Sequence, residues 1–154
     1  MKQRTLGPRL FTVDEAEAQL PFVKERLAAF REHYARYEAV RSDLSVLRLV
    51  ACSGGDTKNP DRDALGRKER EQAVLLRSLK TVQDDLLDSG CVPKSFQEGL
   101  VDFFALKEGR LVFLCWKAGE EGIRAWHTME GGFANRRPIE TFHPRDDADD
   151  SSDA

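Results

Sequence analysis

Asp102, Cys115 and His127 are the residues of this chain best equipped to act together. They lie in a dense polar–aromatic block, Gly99 to Ile139, which reads GLVDFFALKEGRLVFLCWKAGEEGIRAWHTMEGGFANRRPI. A carboxylate, a thiolate and an imidazole are ligand types that zinc or iron accepts, with manganese a further candidate. Glu121 or Glu130 could complete such a set. The three carry no metal-motif spacing, so only the fold can bring them together. A cysteine beside a histidine could also act as a nucleophile, provided its thiol pKa is lowered. The bland alternative makes Cys115 an inert buried thiol and His127 a hydrogen-bonded strand end. In it, Asp102 pairs with Arg136 or Arg137.

Recognition is the second chemistry in the block. Gly131-Gly132-Phe133-Ala134-Asn135-Arg136-Arg137 pairs two glycine amides with two guanidinium groups. Successive amides form an anion nest, and arginine holds a carboxylate or phosphate through paired N–H groups. A small anionic ligand is therefore a candidate partner. Trp116 and Trp126 should sit on neighbouring strands, as core or as a stacking platform. Asp102 and Glu120 add carboxylates, and Arg41 could pair with either of them from a helix.

Positioning these groups requires strands. From Gly99 the hydrophobic period becomes two and β-formers concentrate. Three strands are expected, at about 100–106, 110–117 and 123–128, with turns at Glu108-Gly109 and Gly119–Gly122. Connections this short make an antiparallel meander. Alternation places Leu111, Phe113 and Cys115 on one face and Val112, Leu114 and Trp116 on the other. Likewise Asp102 opposes Val101 and Phe103, and His127 opposes Trp126. Gly131-Gly132, Pro138 and Pro144 read as an irregular return.

The meander needs a partner for its apolar face, and the first ninety residues offer helices. Thr12-Val13-Asp14-Glu15 is a capping box. A short helix over about 13–19 is expected, then a break, because Pro21 biases Leu20 away from helical angles. A long helix over about 21–52 follows, with Leu20, Val23, Leu27, Phe30, Tyr34, Tyr37, Arg41 and Leu44 stepping by three and four. Residues 53–60, SGGDTKNP, form a loop. A helix over about 64–89 repeats the spacing through Gln72, Leu75, Leu79, Val82 and Leu86, and Gly90 ends it. The two long helices should fold back as an antiparallel hairpin or short coiled coil. The same seam could support a homo-oligomer. The fold class is α+β, a helical hairpin packed with a small three-stranded meander plus a short N-terminal helix, in one domain over 1–145.

Charge and composition remove other classes. The formal charge is −3, and five aspartates fall within residues 146–154; without them it becomes +2. A near-neutral body lacks the clustered basic face of a nucleic-acid binder. The acidic end, free of large apolar residues, should be a disordered tail. Cys52, Cys91 and Cys115 form an odd set without a CxxC, which excludes a zinc ribbon. The start lacks the apolar run of a signal peptide, and no stretch is long and apolar enough for a membrane helix. Free thiols fit a reducing cytoplasm.

The chain resembles domain-of-unknown-function family 2203 of bacterial proteins. The resemblance rests on Phe11-Thr12, Glu15-Ala16 and Leu20-Pro21 near the start. In the block it rests on Gly99 to Phe103, Leu114-Cys115-Trp116, Gly119-Glu120, Ile123, Trp126-His127, Gly132-Phe133 and Arg136 to Ile139. It covers roughly residues 9–139, and Phe104 departs from a pattern that often has proline there. It implies a helix hairpin with a sheet, and no activity. Two functional expectations follow from the residues. The leading one is a cytoplasmic binding or interaction protein that uses residues 99–139 as its recognition surface, through Asp102, Trp116, Glu120, Trp126, Arg136 and Arg137. The other is a small metal-dependent enzyme, a hydrolase by preference, built on His127, Cys115, Asp102 and Glu130.

Overall fold

In a computed structural model, residues 7–52 and 60–143 are described; the acidic stretch expected to be a tail lies outside them. The chain divides into two units, residues 25–85 and the remainder.

Helix α1 runs unbroken from Val13 to Cys52. Its capping box forms as expected: the Glu15 amide donates to Thr12 Oγ1 at 3.1 Å, and the Thr12 amide donates to Glu15 Oε1 at 3.2 Å. The separate short helix expected over 13–19 does not exist, because Pro21 lies inside α1. An interior proline costs about 3 kcal/mol. The buried stripe Ala16, Leu20, Val23, Leu27 passes straight across it, each residue at most 3% exposed. Burying a leucine or valine returns roughly 1.5–3 kcal/mol, so packing outweighs the local preference.

Helix α2 spans Pro60–Asp88 and starts a turn earlier than expected. Pro60 occupies the first helical position, where its missing N–H costs nothing. Asp61 and Asp63 in the first turn complement the helix dipole.

Within residues 25–85 the helices are antiparallel. Arg26 meets Asp85 at 3.1 Å, and Lys68 meets Asp43 at 3.2 Å. Val40, Leu44 and Leu75 form a buried cluster with Tyr37 and Leu65 against it. Val40, not Arg41, fills the seam. Arg41 points outward and pairs with Glu38 at 3.2 Å.

The other unit holds a five-stranded antiparallel sheet in the order β1-β2-β3-β4-β5, rather than a three-stranded meander. The strands are β1 Cys91–Ser95, β2 Leu100–Lys107, β3 Arg110–Lys117, β4 Ala125–Thr128 and β5 Arg137–Pro138. Both unexpected strands are short edges containing a proline, Pro93 and Pro138, and edges are where a sheet tolerates the lost donor. β4 starts at Ala125 rather than at Ile123. The Ile123 amide instead donates to Glu17 Oε1 of α1 at 3.1 Å. Glu108 and Gly109 turn β2 into β3 with φ of 52° and 75°, the double left-handed pair of a tight hairpin.

One face of the sheet carries Val101, Phe103, Leu114, Trp116 and Trp126, all at most 3% exposed. It meets the start of α1 and its approach. Phe11 packs edge-on to Phe103 at 5.1 Å, and Lys24 lies over Trp116. The opposite face carries the polar trio.

Candidate metal centre

Strand register decides the site. Asp102 stands opposite Cys115 across β2 and β3, and His127 stands opposite Phe113 across β3 and β4. All three side chains therefore leave the same face. Cys115, the short side chain on the central strand, lets its neighbours reach over β3. His127 Nε2 meets Asp102 Oδ2 at 2.9 Å. One ligand atom from each of Asp102, Cys115 and His127 lies within 4.8 Å of the others.

The cluster is dry. Asp102, Cys115 and His127 are 2%, 1% and 3% exposed, and Asp102 and His127 are the buried polar residues among those described. Such groups are costly to bury unless satisfied. The tautomer of His127 follows from its partners. Nδ1 lies 2.8 Å from the Thr128 carbonyl oxygen, which can only accept, so Nδ1 carries hydrogen. Nε2 is left facing Asp102 Oδ2 at 2.9 Å.

Burial pushes the Cys115 thiol up to about 12, with Asp102's charge and hydrogen bond adding to the rise. Arg136 opposes the shift and Glu120 adds to it. At neutral pH this is a thiol, not a thiolate. Nucleophilic Cys–His chemistry thus lacks its activated sulfur, whereas a bound cation would supply the missing stabilisation. The Cys91 thiol is also raised by burial. It donates to the Leu86 carbonyl at 3.1 Å and serves the helix-to-strand junction.

The trio opens on a cavity of about 200 Å³. Phe113, Leu100, Met129 and Phe133 give it apolar walls, and Lys94 gives it a cation. Lys94 carries no signal in the sequence, because its strand is short, contains Pro93 and is bulged. Met129 and Phe133 lie beyond the last expected strand and carry no periodic signal.

The remaining candidates fall elsewhere. Glu130 is exposed, and the Glu121 side chain is 93% exposed; neither belongs to the three-residue cluster. Arg136 Nη2 donates to both Glu120 oxygens, at 2.7 and 2.9 Å, so this pair does not engage Asp102. Arg136 Nε is buried without a hydrogen-bond partner. Arg137 is exposed on the opposite face, with its guanidinium 5.1 Å from the Trp126 ring centre. Trp116 and Trp126 are buried, and their indole N–H groups donate to the Glu120 carbonyl and Thr141 Oγ1. The Gly131 amide already donates to Thr128 Oγ1 at 3.1 Å, so a glycine nest there is partly spent.

Fold and site together define an α+β protein, helical hairpin plus antiparallel sheet, with a buried Asp–Cys–His cluster facing a small cavity. A family model for uncharacterised conserved proteins matches residues 9–139, and the chain belongs to that family, domain-of-unknown-function family 2203. No curated protein and no solved structure shows significant similarity to the chain. No helix of the described residues is long and apolar enough to cross a membrane.

Proposed function

We propose that this chain is a small metal-dependent enzyme of hydrolytic type, with Asp102, Cys115 and His127 as the ligands of one divalent ion. The supporting observation is the convergence of three chemically different ligand atoms, all buried, within 4.8 Å. A thiolate in the set favours zinc or iron over manganese. Three protein ligands with a position left towards a cavity is the pattern of catalytic rather than structural zinc. A bound ion would supply an activated water and polarise a substrate oxygen. The chain's own part is to fix His127 through the Thr128 carbonyl and to keep the ligands dry.

The reading of residues 99–139 as a recognition surface has less support. Its two tryptophans are buried, and Glu120 and Arg136 are engaged with each other. The test is metal content of protein purified without chelators, compared with His127→Ala and Asp102→Ala. About one equivalent of zinc or iron in wild type, lost in both variants at unchanged helicity, is expected. Equal metal content in all three would sink the proposal.

A further inference from the structure

Lys94 sits where a regular strand would have no room for it. In the β1–β2 pairing, Pro93 faces Val101 and Ser95 faces Leu100, so Lys94 is the extra residue of a bulge. Bulges re-aim side chains and recur beside active sites. Here the Lys94 ammonium lies 4.9 Å from the Phe113 ring centre, and Lys94 lines the same cavity as Asp102, Cys115 and His127. Phe113 stands opposite His127. The aromatic ring thus ties the cation to β3, the strand that carries Cys115.

Charge balance then specifies the occupant. A divalent ion held by the Asp102 carboxylate, the Cys115 thiolate and a neutral His127 forms a centre of no net charge. Lys94 is the remaining charged side chain of the cavity wall, so the loaded cavity carries one uncompensated positive charge. Arg136 does not change the count, because Glu120 neutralises it at 2.7 Å. Leu100, Phe113, Met129 and Phe133 make the other walls apolar. A volume of about 200 Å³ falls below the roughly 300–1,000 Å³ of pockets that hold drug-sized molecules.

We propose that the cavity takes a small monoanionic carboxylate with an apolar body, its carboxylate held by Lys94 and its body seated against Phe113, Met129 and Phe133. This inference rests on the metal-centre reading, because the charge count assumes a filled centre. It names a substrate class and a specificity residue for that site. Lys94 selects the anion, and the apolar walls select against a bare inorganic ion, whose hydration they cannot replace.

The experiment uses the full chain loaded with zinc, with metal content measured on each sample. Benzoate, its neutral isostere benzamide and inorganic phosphate are the probes, titrated calorimetrically. Benzoate should bind wild type and lose about tenfold in affinity with Lys94→Met, the scale of one charge-assisted contact at a partly exposed site. Lys94→Arg should retain most of the binding. Benzamide should bind wild type at least about tenfold more weakly than benzoate, and phosphate should fail to displace it. Lys94 is exposed, and circular dichroism should show both variants folded. With zinc at one equivalent, equal benzoate affinity in wild type and Lys94→Met would overturn the inference and leave the metal centre standing. So would absent benzoate binding, or equal binding of benzamide. Phosphate competing with the same dependence on Lys94 would overturn the carboxylate assignment. Failure to take up zinc would remove both proposals together.

Discussion

Zinc binding to this chain should release the Cys115 thiol proton, and Cys115→Ser should abolish that release. The thiol's pKa of about 12 keeps it protonated throughout the neutral range. Removing that proton at pH 7 costs about 7 kcal/mol, from five units at 1.36 kcal/mol each. Protons are products of binding, so apparent affinity must rise with pH. One proton released means about tenfold per pH unit between pH 6 and 8. Structural zinc sites reach apparent free energies of roughly 10–16 kcal/mol at neutral pH, enough to meet this cost. Competition with a calibrated chelator gives the slope. Calorimetry in buffers of different ionisation enthalpy counts the protons directly. A serine hydroxyl stays protonated at these pH values, so Cys115→Ser should both flatten the slope and weaken binding. Losing a direct ligand should exceed the ~10–100-fold typical of losing an outer partner. Affinity independent of pH from 6 to 8, or an unchanged proton count in Cys115→Ser, would refute the assignment of Cys115 as a ligand.

Other expectations follow from the same structure. In metal-free protein the folded Cys115 pKa, about 12, lies above its reference value of 9.0. The associated stability is therefore complete below pH 9 and lost as pH rises towards 12. It amounts to at most about 4 kcal/mol; urea melts of wild type should fall across that window and those of Cys115→Ala should be flatter. Leu79 is 9% exposed in the helical hairpin, and Leu79→Asp should abolish cooperative unfolding because it buries an unpaired charge. A melt within a few degrees of wild type would refute that packing. Glu108 holds a φ of 52°, a region costing roughly 1–2 kcal/mol for most residues and less for asparagine. Glu108→Asn should raise the melting temperature by about 2–4 °C per kcal/mol recovered, and a drop would mean the Glu108 side chain contributes more than its backbone costs.

What the sequence conceals here has physical causes. Alternation in β2, β3 and β4 is legible because one face is buried against α1, and burying one face imposes period two. That assigns Asp102, Cys115 and His127 each to a face, but faces of different strands are related only by register. Register comes from hairpin geometry, set at Glu108-Gly109 by two left-handed residues and further on by a longer link that Ile123 and Glu17 stabilise. A list of residues does not contain that second constraint, since residues 17 and 123 are far apart in the chain. β1 is invisible for another reason. Cys91-Val92-Pro93-Lys94-Ser95 is short, contains proline and alternates poorly because of its bulge. Local preference also misjudged Pro21, where the stripe Ala16, Leu20, Val23 holds α1 together. In each case tertiary contact prevails over a local signal worth a few kcal/mol.

The two faces of the sheet show why the trio needs a functional explanation. The face towards α1 is wholly conventional, with Val101, Phe103, Leu114 and Trp116 excluding water by packing. The opposite face has the same strands, yet at its buried centre, at most 3% exposed, it places a carboxylate, a thiol and an imidazole. Stability alone would favour hydrophobic residues there, because replacing a buried ion pair by apolar residues of similar volume is often neutral or stabilising. Fold specificity is already provided by the capping box, the double left-handed turn and the two proline-bearing edges. The buried polar groups are also incompletely matched: Arg136 Nε has no acceptor, and Cys115 is held in its neutral form. A divalent ion resolves the second mismatch, since it stabilises the thiolate. A sheet that is apolar on one face and ligand-bearing beside a cavity on the other is arranged for binding chemistry, and the proton count on zinc addition is the quantity that separates that arrangement from a merely tolerated buried pair.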